Sequence, residues 1–553
     1  MALKKKIPDR NHGRLGVILL VGITVLCLAP FAAKALNMDD PLFIWAAKHI
    51  QHHLTNPYGF KVNWYGFPQA MSDVTKNPPL ACYYIALAAS IVGWSEVALH
   101  LAFLIPTLAV VLGVYSLARR FSSHPVEAAL MAILTPVFML SANTIMCDMM
   151  MLAFWVWAVV LWVKGMDDGH QPSLALSAFL IALAALTKYY GIALIPLLLA
   201  YSILKTRKLG LWAAYLLIPT AILAGYQWWT HAQYGRGLLL DVVGFVGAIR
   251  TKHHAEPIGK SLAGLSFMGG GVATVILLSP FLWSRRALAI WGALAVATLL
   301  ALASRQRLNG HPLGMHGSTS WLMVAQLAIF ITAGLMLLVL SVGDYLKHRK
   351  AESALLVMWV IGTFIFAALV NWSVNGRSIL PMVPAAGILL MRRLENRPKP
   401  LAGARGQVLA VMLVIAGVLS VLTLYGDYRY ANTARWVAKD IMAEYQTSTN
   451  TVIFEGHWGF QYYMESLGGK AANYRAIPDI KPDDILVIPR WNTNIVQPSA
   501  GSVEMLDTMR IPSFPLSVMD FGAGAGFYAD QMGSLPFSFG PGTGETYIIC
   551  RFR

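Results

Sequence analysis

The chain has few charged residues for its length, and few of those are acidic. Charged side chains make up 13% of its 553 residues, hydrophobic ones make up 57%, and 27 acidic residues are set against 43 Lys and Arg, for a formal net charge of +16. Soluble domains carry about 25% charged residues. This balance therefore excludes an ordinary soluble enzyme and indicates that the lipid bilayer surrounds much of the chain.

The basic residues form no continuous face. They stand in short clusters between apolar runs, which argues against nucleic acid as a partner and makes them markers of membrane topology. The predicted surroundings are therefore membrane lipids, with no nucleic acid.

Cysteine is also scarce, and its spacing excludes two common roles. Four cysteines lie far apart without CxxC spacing, so they favour neither a disulfide framework nor a zinc site. They are Cys27, Cys82, Cys147 and Cys550. The adjacent His253 and His254 would diverge on a helix, which disfavours a shared metal. The sequence thus identifies no metal ligands and no cofactor, with a divalent metal ion left as an open alternative.

Apolar runs of near-spanning length are abundant. A helix needs about 20 apolar residues to cross the hydrocarbon core, and we count about thirteen candidate runs. The runs are Leu15 to Ala33, Val97 to Ala118, Glu127 to Ser141, Met149 to Val163, Leu174 to Leu186, Ile192 to Leu204, Leu211 to Trp229, Leu262 to Trp283, Ala287 to Ser304, Ser320 to Gly343, Ala354 to Val374, Ile379 to Met391 and Gln407 to Tyr425. The first run has a removable signal peptide as its alternative, but its length and the spans that follow favour an uncleaved anchor.

The basic clusters orient these spans. With the N-terminus in the cytoplasm, every short-loop cluster also lies there, as the positive-inside rule requires. The clusters are Arg119-Arg120, Lys164, Lys205 to Lys208, Arg285-Arg286, Lys347 to Lys350 and Arg392-Arg393. If the apolar segment Pro79 to Gly93 crossed the membrane, every later basic cluster would lie on the outer side. We therefore predict that this segment lies along the outer face of the membrane. We expect an integral protein of a bacterial inner membrane.

Two domains follow from this topology. Residues 1–428 form a predicted transmembrane catalytic domain with a long first external loop, residues 34–96. Beyond Tyr430 the hydropathy falls to a soluble level, so residues 429–553 form a predicted extracytoplasmic α/β domain. Its expected elements are a helix, Ala434 to Tyr445, and the strands Thr451 to Glu455, Ile485 to Pro489 and Tyr547 to Arg553.

Two acidic positions stand out on the outer side. Asp39 and Asp40 follow the first span, where a carboxylate could act as a general base on a hydroxyl or amine. The alternative is a solvated helix N-terminus, which favours Asp and accepts Pro41 in its first turn. Asp148 is the lone acid of the next outer turn; a membrane-level carboxylate is a functional candidate, with a helix N-cap as the alternative.

Three outer cations run against the topology rule. Lys188 and Arg377 lie at the outer ends of predicted helices, and Lys76 precedes a double proline at headgroup level, where a lysine can meet a lipid phosphate. Arginine also grips phosphate in a bidentate way. Interfacial anchoring is the alternative for each. In the tail, the aromatic stretch around His457 could stack on a sugar, although packing within a small domain is the favoured explanation.

These pieces, in this order, resemble the GT-C superfamily of glycosyltransferases, and more closely its protein-mannosyltransferase and aminoarabinose-transferase branch. The resemblance covers most of the membrane part. It is carried by Asp39-Asp40, by Asn77-Pro78-Pro79-Leu80, by Asp148, by Thr187-Lys188, and by Arg377-Ser378-Ile379-Leu380-Pro381.

The resemblance implies an inverting transferase that uses a polyprenyl-phosphate sugar, with a lipid, protein or glycan as acceptor. Asp39 would be the catalytic base, Asp40 and Asp148 would support it, and Lys76, Lys188 and Arg377 would stabilise the phosphate. Further candidate substrate contacts are Asn77, Tyr83, Tyr189 and His457.

The chain departs from the family pattern at two places. Asn77 stands where a basic residue or histidine often precedes the double proline, and Asp40 replaces a frequent Glu. A transporter or flippase of lipid-linked intermediates is the alternative from another class. It is disfavoured because no internal repeat is evident and the candidate residues gather at one face. A structural assembly subunit would leave Asp39 and Asp148 without a shared role.

Overall fold

The structure is a computed structural model, and it describes residues 10–252, 256–315, 318–397, 403–475, 480–499 and 501–553. Most of this part is helical. In chain order the helices are α1 (Arg10–Leu28), α2 (Asp40–Ile50), α3 (Met71–Val74), α4 (Leu80–Val92), α5 (Glu96–Phe121), α6 (Pro125–Ile133), α7 (Pro136–Ala142), α8 (Asp148–Asp168), α9 (Gln171–Thr187), α10 (Leu194–Thr206), α11 (Leu217–Tyr234), α12 (Leu238–Lys252), α13 (Pro257–Gly271), α14 (Thr274–Leu282), α15 (Arg285–Ala303), α16 (Trp321–His348), α17 (Ala351–Ile365), α18 (Gly376–Ile379), α19 (Val383–Glu395), α20 (Ala404–Tyr445) and α21 (Trp458–Ser466).

The strands lie in loops between helices and in the tail. In chain order they are β1 (Lys61–Asn63), β2 (Pro68–Ala70), β3 (Arg307–Leu308), β4 (His311–Pro312), β5 (Gly314–Met315), β6 (Ser318–Thr319), β7 (Val452–Phe454), β8 (Lys470–Ala471), β9 (Ile485–Pro489), β10 (Val503–Ile511), β11 (Leu516–Ser517), β12 (Met519–Asp520), β13 (Ala525–Gly526), β14 (Ser538–Phe539) and β15 (Glu545–Phe552).

The predicted class, a polytopic helical membrane protein, is confirmed. Within the described residues, eight helical segments are long and apolar enough to cross a bilayer, and two bent pairs bring the number to at most ten. The expected count of about thirteen is not confirmed. The remaining apolar runs became the 17-residue α9, the 18-residue α11 and the short α19, none of which meets the length and hydropathy of a straight span.

The two bent pairs break where the sequence interrupts the helix. Helices α6 and α7 meet at 70° beside Pro136, whose ring and missing N–H prevent continuation of the preceding turn. Helices α13 and α14 meet at 80° after a run of three glycines ending at Gly271. A hydropathy profile shows one apolar run in each case, because it does not detect a break in the backbone of a helix.

Contacts between loops agree with the predicted alternation of sides. The predicted cytoplasmic ends of three spans meet at Asp167, which accepts a hydrogen bond from Arg120 at 2.8 Å and another from Lys205. On the same predicted side, Arg392 pairs with Asp344 at 3.0 Å. Helix α4, the segment predicted to lie on the outer face, has only 13 residues and packs against α2 and α5, so it is too short to span.

The last spanning helix continues into the tail without a break. Helix α20 has 42 residues, a length of about 63 Å at 1.5 Å per residue, twice the hydrocarbon thickness. The predicted helix Ala434 to Tyr445 is therefore the outer part of α20. The membrane part and the tail share this helix, which ties their positions together.

The tail contains the expected small sheet domain. Five strands lie in the order β10-β15-β9-β7-β8, with β7 parallel to both β8 and β9 and the remaining pairs antiparallel. Strands β7, β9 and β15 correspond to the predicted ones. Strand β10 was not predicted, because it is a largely exposed edge strand in which charged residues interrupt the apolar positions.

Candidate active site

The loop between α1 and α2 presents Asp39 at one end of the helix bundle. Met38 has φ of +46°, a left-handed conformation that is uncommon for a residue with a side chain. Helix α2 then begins at Asp40, with Pro41 in its first turn. The helix N-terminus that was the alternative explanation is therefore present, and Asp39 stands just outside it with 34% of its side chain exposed.

Arg377 connects two of the three candidate acids, Asp39 and Asp148. Its Nη2 donates a hydrogen bond to Oδ2 of Asp39 at 2.9 Å, and its Nη1 lies 3.9 Å from Oδ2 of Asp148. The guanidinium group is mostly buried, with 14% of the side chain exposed. It is held in place by the short helix α18, whose N-cap Asn375 accepts a hydrogen bond from the Ser378 backbone at 2.9 Å.

Lys188 completes a cluster of four charges. It lies at the end of α9 in an extended conformation, and its Nζ donates to Oδ1 of Asp148 at 2.5 Å. Asp148 is fully buried in the first turn of α8, whereas Lys188 retains 21% exposure. Two acids and two cations from four separate parts of the chain thus meet at one place, with Asp39 the most exposed of them.

Asp40 points away from this cluster and holds the turn in place. Its two carboxyl oxygens accept hydrogen bonds from the backbone N–H groups of Asn37 and Ile145, both at 2.9 Å. The side chain is fully buried. Burial raises the pKa of Asp40 to about 7, although Lys34 and the two backbone donors act in the opposite direction. Asp40 therefore joins the first outer loop to the loop that carries Asp148.

Comparison with known proteins places this arrangement in context. Residues 76–229 match the family described as dolichyl-phosphate-mannose-protein mannosyltransferase. Among solved structures, the oligosaccharyltransferase of Archaeoglobus fulgidus, tethered with an acceptor peptide, superimposes with a TM-score of 0.50 and 14% identity. The alignment covers 84% of this chain and 64% of that one, so the chain spans less than two thirds of that protein's length. No curated protein matches.

Two further solved structures align with the chain at lower similarity. ArnT from Cupriavidus metallidurans, bound to undecaprenyl phosphate, aligns with a TM-score of 0.44 and 15% identity over 87% of this chain and 93% of that one. The arabinofuranosyltransferase AftD from Mycobacteria aligns with a TM-score of 0.42 and 13% identity over 99% of this chain and 40% of that one.

The chain has a GT-C-like fold. The superposition on the archaeal protein decides the architecture, and the match over residues 76–229 supports the glycosyltransferase class. The predicted resemblance is confirmed. The matched GT-C segment includes Lys76, Asp148 and Lys188 and leaves out Asp39 and Arg377, so the pairing of those two residues rests on the geometry of this structure.

Lys76 has a separate partner in the GT-C fold. Its Nζ lies 3.1 Å from Oδ2 of Asp241 on α12 and 4.6 Å from the centre of the Phe245 ring. The neighbouring Asn77 accepts a hydrogen bond through its backbone oxygen from the Tyr58 hydroxyl at 2.9 Å. Lys76 therefore lies outside the ion pairs that connect Asp39, Arg377, Asp148 and Lys188.

The three remaining predicted contacts lie in different surroundings. Tyr189 follows Lys188 directly and shares a hydrogen bond with Tyr226 at 3.2 Å between hydroxyls. Tyr83, on α4, donates to the backbone oxygen of Leu54 at 2.6 Å. Among Tyr83, Tyr189 and His457, Tyr189 is the one adjacent in sequence to the charged cluster.

His457 is enclosed between the tail and the loop that carries β1. Its ring lies 4.5 Å from that of Trp64 and within hydrogen-bonding distance of the Thr493 hydroxyl. Burial lowers the pKa of His457 to about 3, so the ring is neutral near pH 7. A neutral, enclosed ring fits the packing explanation that the sequence favoured over sugar stacking.

The described residues contain no group of three or more His, Cys, Asp or Glu side chains able to hold a metal ion. His253 and His254 lie outside the described residues.

Sequence reasoning missed a buried charge pair beside the site. Nζ of Lys34 lies 2.5 Å from Oδ2 of Asp427, and both side chains are fully buried. The Tyr528 hydroxyl donates to the same oxygen at 2.9 Å. A signal for Lys34 was available, because it is a cation at the outer end of the first span, the criterion that selected Lys188 and Arg377. Tyr528 carried no such signal.

Proposed function

We propose that the protein is an inverting glycosyltransferase that moves a sugar from a polyprenyl-phosphate donor to an acceptor on the extracytoplasmic side of the membrane. One observation carries the proposal: a partly exposed carboxylate, Asp39, is hydrogen-bonded to Arg377, which also approaches the buried Asp148–Lys188 pair. This arrangement offers a base and two cations within one site.

Asp39 is the proposed general base. Arg377 holds one of its oxygens, and about a third of the side chain stays accessible. In the reaction, an acceptor hydroxyl or amine attacks the anomeric carbon as its proton passes to Asp39. The bond from that carbon to the phosphate oxygen breaks on the opposite side, which inverts the configuration and releases the lipid phosphate.

Arg377 and Lys188 are the proposed phosphate-stabilising groups. Negative charge grows on the phosphate oxygen as its bond to the sugar breaks, and preorganised cations stabilise that charge. Nε of Arg377 and Oδ2 of Asp148 are buried and have no hydrogen-bond partner among the described residues. Unpaired buried donors are costly, so a phosphate that accepted a hydrogen bond from Arg377 would relieve that cost.

Asp148 is the proposed supporting acid. It is fully buried between Lys188 and Arg377, and it keeps two cations together that would otherwise repel each other. Asp40 supports Asp39 through the backbone of the same turn, since it fixes Asn37 and Ile145.

The family description supports a lipid-phosphate donor for this chain, since it names dolichyl-phosphate-mannose and its match includes Asp148 and Lys188. Lys76 also lies in the matched part and on the first external loop, where it is proposed to meet the donor phosphate during binding. We assign the site to the side opposite the predicted basic clusters of the short loops, because the positive-inside rule makes that side extracytoplasmic.

The proposal is tested by following the donor and the product together. Purified protein in liposomes is given undecaprenyl-phosphate sugars and a panel of lipid, peptide and glycan acceptors, and the products are separated by mass spectrometry. We expect release of undecaprenyl phosphate in equal amount to a new glycosidic bond of inverted configuration. Movement of intact lipid across the bilayer without a new bond would instead establish a flippase.

A further inference from the structure

Part of the tail packs against the candidate active site of the membrane part. Residues 518–537, here called the inserted segment, leave the tail sheet and pack against the outer ends of the membrane helices. Within it, Phe527 is fully buried, and Tyr528 and Asp530 are 4% and 6% exposed. Such burial is unusual for a loop, so the contacts made by the segment matter for the residues around it.

The inserted segment directly supports the residue before Arg377. The backbone oxygen of Phe527 accepts a hydrogen bond from the Gly376 N–H at 2.8 Å. A Cβ at Gly376 would lie 2.2 Å from the Phe527 ring, so a larger residue there would have to displace that buried ring. The guanidinium carbon of Arg377 lies 5.9 Å from the centre of the Tyr528 ring, within range of a cation–π interaction.

Tyr528 also reaches the loops that carry the two acids. Its hydroxyl donates to Asp427 at 2.9 Å and lies 3.4 Å from Nζ of Lys34. The same Nζ donates to the backbone oxygen of Asn143 at 2.9 Å. Lys34 belongs to the loop of Asp39, and Asn143 belongs to the loop of Asp148. One tyrosine thus touches Arg377 through its ring and the acid-bearing loops through the Lys34–Asp427 pair.

Asp530 provides a second anchor within the segment. Its carboxyl oxygens accept hydrogen bonds from the Ser373 hydroxyl at 2.7 Å, the Val374 backbone at 3.1 Å and the Asn309 amide at 2.8 Å. Ser373 and Val374 lie shortly before Arg377. The segment therefore grips the Arg377 loop at two points, through Asp530 and through Phe527.

We infer that Tyr528 is a positioning residue of the active site, which holds the Arg377 guanidinium in the orientation that serves both Asp39 and the donor phosphate. The inference rests on the proposed function. It makes the soluble tail a structural part of the phosphate site, in addition to any contact with the acceptor. The ring of Tyr528 carries this role, because it faces Arg377, and its hydroxyl fixes the ring through Asp427.

Tight packing alone would also explain a buried tyrosine, and a double-mutant cycle separates the two explanations. Binding of undecaprenyl phosphate to purified full-length protein is measured for wild type, Tyr528→Leu, Arg377→Met and the double variant. We expect Tyr528→Leu to weaken binding roughly tenfold in the wild-type background and less than twofold in the Arg377→Met background. Equal weakening in both backgrounds would overturn the inference.

Control variants keep the test interpretable. Tyr547→Leu removes another buried tyrosine of the tail, one that packs on Phe460, and we expect it to leave lipid binding unchanged. If Tyr528→Leu does not fold, Asp530→Asn replaces it, since weakening the anchor should produce the same dependence on Arg377; independence from Arg377 would again overturn the inference. Absence of binding in wild type would instead reject the lipid-phosphate donor of the proposed function.

Discussion

Nη2 of Arg377 donates a hydrogen bond to Oδ2 of Asp39 over 2.9 Å, although 338 residues separate them in the chain. The pair joins the loop before α2 to the short helix α18. Because the same guanidinium lies 3.9 Å from Asp148, a single side chain sets the distance between the proposed base and the buried acid.

Replacing Arg377 tests whether its forked shape is needed. Arg377→Lys keeps the charge, but an ammonium group cannot present two parallel donors, so we expect kcat to fall roughly 10- to 100-fold. Arg377→Ala should cost about 10²- to 10³-fold, as for loss of a transition-state donor. Initial rates of sugar transfer measure both effects. Arg236→Lys, in the exposed pair with Asp73, serves as the control, and full activity in Arg377→Lys would contradict the role.

Variants of the Asp148–Lys188 pair distinguish an effect on stability from an effect on catalysis. Lys188→Met leaves the buried Asp148 carboxylate without its nearest cation, which should destabilise the fold by about 3–5 kcal/mol. Adding Asp148→Asn removes the orphaned charge, so the double variant should regain most of the thermal stability and none of the activity. Thermal unfolding in detergent and transfer assays measure the two. Recovery of activity in the double variant would show that the pair is only structural.

Lys76 is proposed to act in donor binding and not in the chemical step. Lys76→Met should raise KM for the donor about tenfold with little change in kcat, as expected for an interaction made equally in ground and transition states. Asp241→Asn weakens two partly exposed ion pairs, with Lys76 and with Arg236, each worth less than about 1 kcal/mol, and should leave KM unchanged or lower it. A fall in kcat at constant KM in Lys76→Met would refute this assignment.

Glu455 should make the stability of the tail depend on pH. Burial raises the pKa of Glu455 from its usual 4.5 to about 7, partly offset by a hydrogen bond from the Val496 backbone. The folded state thus binds the proton more tightly than the unfolded state, and this stabilisation is lost as the pH rises from about 4.5 through about 7. Melting temperatures between pH 5 and 8 should fall more steeply for wild type than for Glu455→Gln; parallel curves would disprove the shift.

The membrane class was accessible from sequence because it follows from apolar runs and low charge, and the candidate cations were accessible because they follow from charge placement. Lys188 and Arg377 were selected as cations on the side where the positive-inside rule leaves them unexplained. The structure places both beside Asp148. These positions could be selected because a charged side chain near the membrane is energetically costly and needs a partner. No local sequence pattern was used to select them.

Other features could not be predicted, because no periodic pattern in the sequence marks them. The bend between α6 and α7 lies inside one apolar run, so hydropathy counted a straight span where the chain turns. Tyr528 is an aromatic residue in a tail of ordinary composition, and its position beside Arg377 depends on long-range packing. One of the two hydrogen bonds that Asp40 accepts likewise comes from Ile145, in another loop, which spacing in the sequence does not reveal.

The most direct test of the account is a single-turnover measurement on Asp39→Asn. The amide keeps the size of the side chain and still accepts a hydrogen bond from Arg377, but it cannot take a proton from the acceptor. Reconstituted wild-type and variant proteins are mixed with an undecaprenyl-phosphate sugar and the acceptor identified for wild type, and release of undecaprenyl phosphate is followed. We predict unchanged donor binding and folding with transfer slowed by at least about 10²-fold. Transfer at the wild-type rate would contradict the central claim that Asp39 is the base.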